Sequence, residues 1–170
     1  ASMCSLVGLK PTRARNSFGP GMGERWSGFS AEFVVTRSVR DTAALLDVTS
    51  GPMPGDPYAA APPARPFTDV LGEPPPRLRV GLMKVGPRDI ELSPDSLQAA
   101  EKTARALESL GHHVEEAHPD AFDDPAVVGT YVGVVNCNVA RALDAWGEKI
   151  GRPVEQGDVE PLTWALAERG

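Results

Sequence analysis

The sequence predicts an α/β fold, in which a mixed β-sheet core is flanked by helices, and the chain contains only part of it. The first observation is a strand, an amphipathic helix and a second strand that follow one another within residues 77–119. Strands separated by a helix of this length favour a βαβ unit with parallel strands. The other two observations are a strand followed by a capped helix in residues 31–49, and a long apolar helix after residue 124.

The first elements lie before the proline-rich part of the chain. Residues 31–36 (AEFVVT) are rich in β-branched and aromatic side chains, which predicts a strand. Ser38 and Asp41 have the spacing of a capping box in its aspartate variant, so a helix should begin at about residue 39. Gly51 and Pro52 predict that this helix ends at about residue 49.

A proline-rich stretch covers residues 52–76. Proline fixes φ and lacks a backbone N–H, so this stretch is incompatible with a regular helix or a central strand. We predict an extended surface connector. Its nine prolines are Pro52, Pro54, Pro57, Pro62, Pro63, Pro66, Pro74, Pro75 and Pro76.

The βαβ unit follows the connector. Residues 78–84 alternate apolar and other side chains with the period of a strand, and residues 112–117 form the second predicted strand. Between them, Ser93 is a good N-cap, Pro94 suits the first helical position, and Gly111 marks the end of the helix. The apolar positions of this helix recur at helical spacing.

A long helix is predicted from Asp124 to Gly151, and a short helix over residues 159–168. We expect the fold to be incomplete at Gly170. The apolar stripe of the long helix comprises Val128, Val132, Val135, Val139, Leu143, Trp146 and Ile150.

Composition excludes several classes of protein. A net charge of −6 and a pI of about 5.1 argue against a nucleic-acid partner, which requires a basic surface. No apolar stretch reaches the roughly 20 residues of a transmembrane helix, so we expect no membrane span. Two cysteines, Cys4 and Cys137, predict neither a disulfide framework nor a zinc site, and a reducing cytoplasm is the expected location.

No catalytic or metal-binding set is predicted within the chain. It has no GxSxG elbow, Walker loop, HExxH or CxxC motif. His112 and His113 are adjacent on a predicted strand and point to opposite faces, so they do not form a metal site. We interpret Cys4 as a buried packing residue, and Lys10 as a turn residue whose ammonium binds backbone carbonyls.

Two residues are candidates for lining a substrate pocket. Trp26 lies in a loop rich in glycine and polar residues, which either lines a pocket or is a surface loop held by one buried tryptophan. Asn136 interrupts the valine face of the long helix, and a buried asparagine needs a partner. That partner is either a substrate or a neighbouring backbone group.

Three blocks of sequence together resemble the amidase signature family: residues 4–15 (CSLVGLKPTRAR), 34–57 and 77–119. The resemblance implies that residues 1–170 are one partial amidase domain. Its parts are a segment after the nucleophile (1–51), the connector (52–76), the βαβ unit (77–119) and a helical segment (124–170).

The chain departs from the family pattern at some positions. Ser5 and Ala14 stand where the family usually has glycine, which adds side chains near the active-site backbone. Residues 33–35 replace a commoner Gly-Pro-Met. This variant, with the loop before it, is more similar to the branch that contains 6-aminohexanoate cyclic-dimer hydrolases than to the branch that amidates transfer RNA.

The resemblance also implies a mechanism. In the family, a serine nucleophile is activated through a second serine, held by a cis peptide, and a neutral lysine, with backbone donors as the oxyanion hole. None of the three has a matching position here, so we expect the nucleophile shortly before Ala1. The resemblance therefore implies no catalytic residue, metal or cofactor in this chain.

The sequence thus leaves two hypotheses. In the first, the chain is part of an amidase acting on a small-molecule linear or cyclic carboxamide, and is inactive alone. In the second, it is a non-catalytic remnant or split-gene module that acts in binding or assembly. The sequence leaves the oligomeric state open, including a homo-oligomer. Uncovered strand edges and apolar faces predict poor solubility or self-association of the isolated chain.

Overall fold

The computed structural model describes the chain from Ala1 to Gly170, apart from the side chain of Arg88. The chain forms two compact units, Ala1–Glu73 and Pro74–Gly170. The four strands are β1 (Val7–Gly8), β2 (Val35–Thr36), β3 (Arg79–Leu82) and β4 (His113–Glu116). The four α-helices are α1 (Val39–Thr49), α2 (Pro94–Ser109), α3 (Pro125–Ile150) and α4 (Pro161–Ala167).

In the first unit, α1 packs against an antiparallel pair of short strands. Val7 of β1 pairs with Thr36 of β2. Of the strand predicted at residues 31–36, only the last two residues form strand, because only they lie opposite β1. The helix is confirmed at its predicted bounds, and the backbone N–H of Asp41 donates to the Ser38 hydroxyl over 3.1 Å.

The proline-rich connector is attached to α1 through Asp47. The Asp47 carboxylate accepts hydrogen bonds from the backbone N–H of Phe67 at 2.5 Å and of Thr68 at 3.0 Å, and from the Thr68 hydroxyl at 2.8 Å. Desolvation raises the pKa of Asp47, but these three hydrogen bonds outweigh it and lower that pKa overall. The 3₁₀ turn Phe67–Val70 therefore packs on α1.

In the second unit, β3 and β4 pair in parallel, with α2 as the connection between them. Arg79 lies opposite His113, and Leu82 opposite Glu116. The Ser93 hydroxyl accepts the backbone N–H of Ser96 over 3.3 Å, which confirms the predicted cap of α2. The predicted βαβ unit is thus confirmed.

The rest of the second unit is a helical hairpin. Asp124 caps α3 by accepting the backbone N–H of Ala126 over 2.9 Å, and Gly151 ends the helix with a left-handed φ of 75°. The connection to α4 is held by two hydrogen bonds from Arg152 to Asp158, of 2.6 and 2.9 Å. This guanidinium holds the pKa of Asp158 well below its usual range. Both predicted helices are confirmed.

Candidate functional site

The turn after β1 carries the block that resembles the segment after the nucleophile. The Lys10 ammonium donates to the carbonyl of Pro11 over 3.0 Å, which confirms its predicted role in the turn. The backbone N–H of Arg15 donates to the carbonyl of Thr12 over 3.0 Å. The guanidinium of Arg15 donates to the carbonyl of Ala61 over 2.7 Å. This turn is therefore fixed from both sides.

Ser5 and Ala14 both have left-handed backbone conformations, with φ of 53° and 63°. Residues that carry a Cβ adopt this region at a cost of roughly 1–2 kcal/mol, whereas glycine does so freely. The structure thus gives a physical reason for a glycine at these two positions.

Cys4 is exposed, so its predicted packing role is wrong. It lies in the 3₁₀ turn Ser2–Cys4, which contains no buried residue. The apolar pattern around Cys4 predicted burial, but no apolar layer of the described structure covers this turn.

Trp26 lies in a strained loop at residues 17–30, which we call the Trp26 loop. Trp26, Ser27 and Gly28 have successive φ values of 51°, 53° and 80°. A positive φ at a bulky residue is a genuine outlier, and such strain concentrates at functional sites. The side chain of Trp26 is half-buried.

The Trp26 loop is held at both ends by polar contacts. At its start, the Ser17 hydroxyl donates to Asp56 over 2.7 Å, and Asp56 also accepts the backbone N–H of Met53 over 2.8 Å. Near its end, Arg25 forms an ion pair with Glu32 at 2.5 Å. These contacts fix where the strained segment begins and ends.

A cluster of three side chains surrounds Gly28 in this loop. The Tyr58 hydroxyl donates to the Glu24 carboxylate, and this hydrogen bond raises the pKa of Tyr58. The Arg13 guanidinium lies 5.5 Å from the centre of the Tyr58 ring. A Cβ at Gly28 would lie 2.8 Å from Nη1 of Arg13, the end of a flexible side chain that can shift, so this position favours glycine mainly for its φ of 80°. Sequence reasoning missed the cluster, since its members are far apart in the chain.

Asn136 belongs to the second unit, whereas Trp26 belongs to the first. Asn136 is buried on α3, and its Oδ1 atom has no hydrogen-bond partner among the described residues. The backbone of Gly170 packs directly against that of Asn136. The neighbouring Cys137 is exposed.

A groove of about 630 Å³ lies between α3 and α4. Leu143 and Trp164 contribute apolar surface, and Asp144, Glu148 and Glu168 place carboxylates along it. Its volume suits a small molecule. Asn136 is not among its lining residues. The sequence indicated both helices but not the groove, which depends on how they pack.

The histidines contact other residues of the second unit. His112 accepts the backbone N–H of Leu78 at Nδ1 over 3.2 Å, and Nε2 of His118 lies 2.8 Å from Asp123. Among the described residues, no group of three or more histidine, cysteine, aspartate or glutamate side chains is arranged to hold a metal ion.

Comparison with known proteins identifies the family. A family model described as Amidase matches residues 1–156. The chain belongs to the amidase family. The resemblance seen in the three sequence blocks is therefore confirmed over most of the chain.

Two relatives within the amidase family cover nearly all of the chain. It is 42% identical over 172 residues to the 6-aminohexanoate-cyclic-dimer hydrolases of Pseudomonas sp. (strain NK87) and of Paenarthrobacter ureafaciens. Each alignment covers 99% of this chain but 35% of the relative. The chain thus spans about a third of the length of these relatives.

The fold agrees with this family. The structure matches that of a 6-aminohexanoate cyclic dimer hydrolase with a TM-score of 0.89 and 41% identity, over 99% of this chain and 35% of that protein. The predicted α/β class and its incompleteness in this chain are therefore confirmed.

Proposed function

We propose that this chain is the segment after the nucleophile in an amidase that hydrolyses C–N bonds of linear or cyclic, non-peptide carboxamides. The observation that carries the proposal is the 42% identity to two cyclic-dimer hydrolases across 99% of the chain. The match extends through both units, including the loops, and therefore supports a related activity as well as a common fold.

The proposed chemistry uses a Ser–cisSer–Lys triad supplied by residues outside this chain. Hydrolysis of an unactivated amide requires an activated nucleophile and donors for the oxyanion. Residues 1–170 supply the scaffold and one wall of the substrate pocket in this proposal. The isolated chain is then inactive, although it belongs to an enzyme family.

Trp26 and Asn136 remain our proposed pocket-lining residues. The strained and anchored backbone of Trp26 supports the first assignment, because strain of this kind concentrates at ligand sites. The unpartnered Oδ1 of Asn136 supports the second, because buried acceptors usually have a donor. A small-molecule amide is the proposed partner, and a cytoplasmic location stays a prediction.

The proposal can be tested with a chimaera. Residues 1–170 replace the matching segment of the Paenarthrobacter ureafaciens relative, and hydrolysis of 6-aminohexanoate cyclic dimer and of small aliphatic and aromatic amides is measured. We expect activity from the chimaera and none from the isolated chain. Alkylfluorophosphonate labelling shows whether a reactive serine nucleophile is present, independently of amide hydrolysis.

Two outcomes would count against the proposed function. A folded chimaera that is labelled but hydrolyses none of these amides would favour the non-catalytic module. Activity or labelling of the isolated chain would contradict the assignment of the triad to residues outside it.

A further inference from the structure

The N-terminal half of α3 is exposed although it is apolar. Val128 is 42% exposed, Val132 is 41% exposed and Tyr131 is 46% exposed. No residue from Pro125 to Gly133 is buried, so the exposure extends around the whole circumference of the helix. A helix that is apolar on all sides belongs in the interior of a larger protein or in a membrane.

The accessible surface area of the chain is larger than that of compact proteins of the same size. The chain has an accessible surface of 12430 Å². Two separate compact proteins with the lengths of the two units would together expose about 9,700 Å². The surplus of about 2,700 Å² is comparable with the area that obligate interfaces bury.

The length of the uncharged run argues against a membrane as the cover. No charged residue lies between Asp124 and Arg141. These 16 residues span about 24 Å as a helix, which is shorter than the roughly 30 Å of a bilayer core. The run also contains Asn136 and Asn138. The whole helix is long and apolar enough by composition to span a membrane, but core helices of soluble proteins have the same properties.

We propose that the N-terminal half of α3 is the docking surface for the rest of the amidase polypeptide. The solved relative aligns with 99% of this chain and leaves about two-thirds of its own length unmatched, which is ample to enclose one helix. This proposal rests on the proposed function in one respect, since both assume a longer amidase chain. According to the proposal, α3 is an interior helix of the complete enzyme.

The test measures the accessibility of single cysteines. In a background with Cys4→Ser and Cys137→Ser, the variants Val128→Cys and Val132→Cys are labelled with a maleimide in the isolated chain and in the chimaera. The matched control is Lys102→Cys on the exposed face of α2. In the isolated chain, diluted until it is monomeric, we expect equal labelling rates for all three sites. In the chimaera we expect about 100-fold slower labelling of the two α3 sites, as for groups released only by local opening.

Other results would overturn the proposal. Labelling of the α3 sites in the chimaera at the control rate would show that the polypeptide does not cover them. In the chimaera, protection that depends on protein concentration would assign the surface to a second copy, and protection that requires phosphatidylcholine vesicles would assign it to a membrane. Cysteine labelling does not require enzymatic activity. The docking proposal can therefore fail while the proposed function holds, and the reverse.

A second measurement uses the isolated chain alone. We expect it to bind a hydrophobic dye and to self-associate, and Val128→Glu with Val132→Glu to reduce both at unchanged helix content. Lys102→Glu is the control and should change neither. An isolated chain that is monomeric and binds no dye would overturn the proposal even if the chimaera fails to fold.

Discussion

Replacing Ala14 with glycine should stabilise the first unit. Ala14 has a left-handed backbone with φ of 63°. Its conformation is fixed from both sides, because its carbonyl accepts the backbone N–H of Ala60 over 3.1 Å and the N–H of Arg15 donates to Thr12 over 3.0 Å. Glycine can therefore adopt the same conformation without altering the turn.

The expected gain follows from two opposing terms. Removing the Cβ relieves roughly 1–2 kcal/mol of left-handed strain. The greater freedom of glycine in the unfolded chain costs about 0.4–1 kcal/mol. The free energy of unfolding should therefore rise by about 0.5–1 kcal/mol. Ser5, with φ of 53°, should respond to glycine in the same direction.

Urea unfolding followed by tryptophan fluorescence measures this change. Trp26 is the only tryptophan of the first unit, so Trp146→Phe and Trp164→Phe restrict the signal to that unit. We expect the midpoint to rise by about 0.5 M for Ala14→Gly. In the same protein, Ala99→Gly in the exposed face of α2 is followed by circular dichroism and should lower stability by about 1 kcal/mol. A decrease for Ala14→Gly would refute the strain argument.

Three further predictions concern other parts of the chain. A Cβ at Gly81 would lie 2.6 Å from the carbonyl oxygen of Ala117, so Gly81→Ala should destabilise the second unit by about 1–3 kcal/mol in urea unfolding. Asn136→Leu removes a buried oxygen without a described partner and should raise the unfolding free energy by about 1 kcal/mol, whereas a decrease would indicate a partner. Asp47 has a lowered pKa, so its contribution is complete above its unfolded-state pKa of about 3.9 and is lost as the pH falls through the folded-state pKa. Amide exchange of Phe67, corrected for its intrinsic pH dependence, should accelerate over that acidic range. It should already be fast at neutral pH in Asp47→Ala, which has no side-chain acceptor for this N–H.

Helix boundaries were predictable because their causes are local. Ser38, Ser93 and Asp124 each accept a backbone N–H two or three residues further along the chain. Such a contact depends on a few neighbouring residues, which a single sequence displays. The parallel pair β3 and β4 was also predictable, because one helix separates two strands of clear pattern.

Features that depend on distant residues were not predictable. The Tyr58 hydroxyl reaches Glu24, 34 positions earlier, and the Asp47 carboxylate reaches Phe67, 20 positions later. Neither pair has a spacing that indicates contact. The left-handed φ of Ala14 was predictable in part. The resemblance to the amidase family implies that glycine is usual at this position, but the reason for glycine became clear only from the structure.

The predicted apolar stripe of α3 shows what periodicity can and cannot establish. The stripe correctly predicted a helix, because its spacing matches 3.6 residues per turn. The sequence also predicted apolar faces left uncovered, and Val128 and Val132 on this stripe are exposed. The periodicity of a sequence shows that a helix has an apolar face. It does not show which residues pack against that face, especially when those residues belong to another part of a protein. The described structure also has few buried apolar side chains, which are Ala43, Leu46 and Ala104, and the proposed docking of further polypeptide would explain this. Because most helical stability comes from tertiary packing, our docking proposal predicts that α3 gains much of its stability from residues outside this chain.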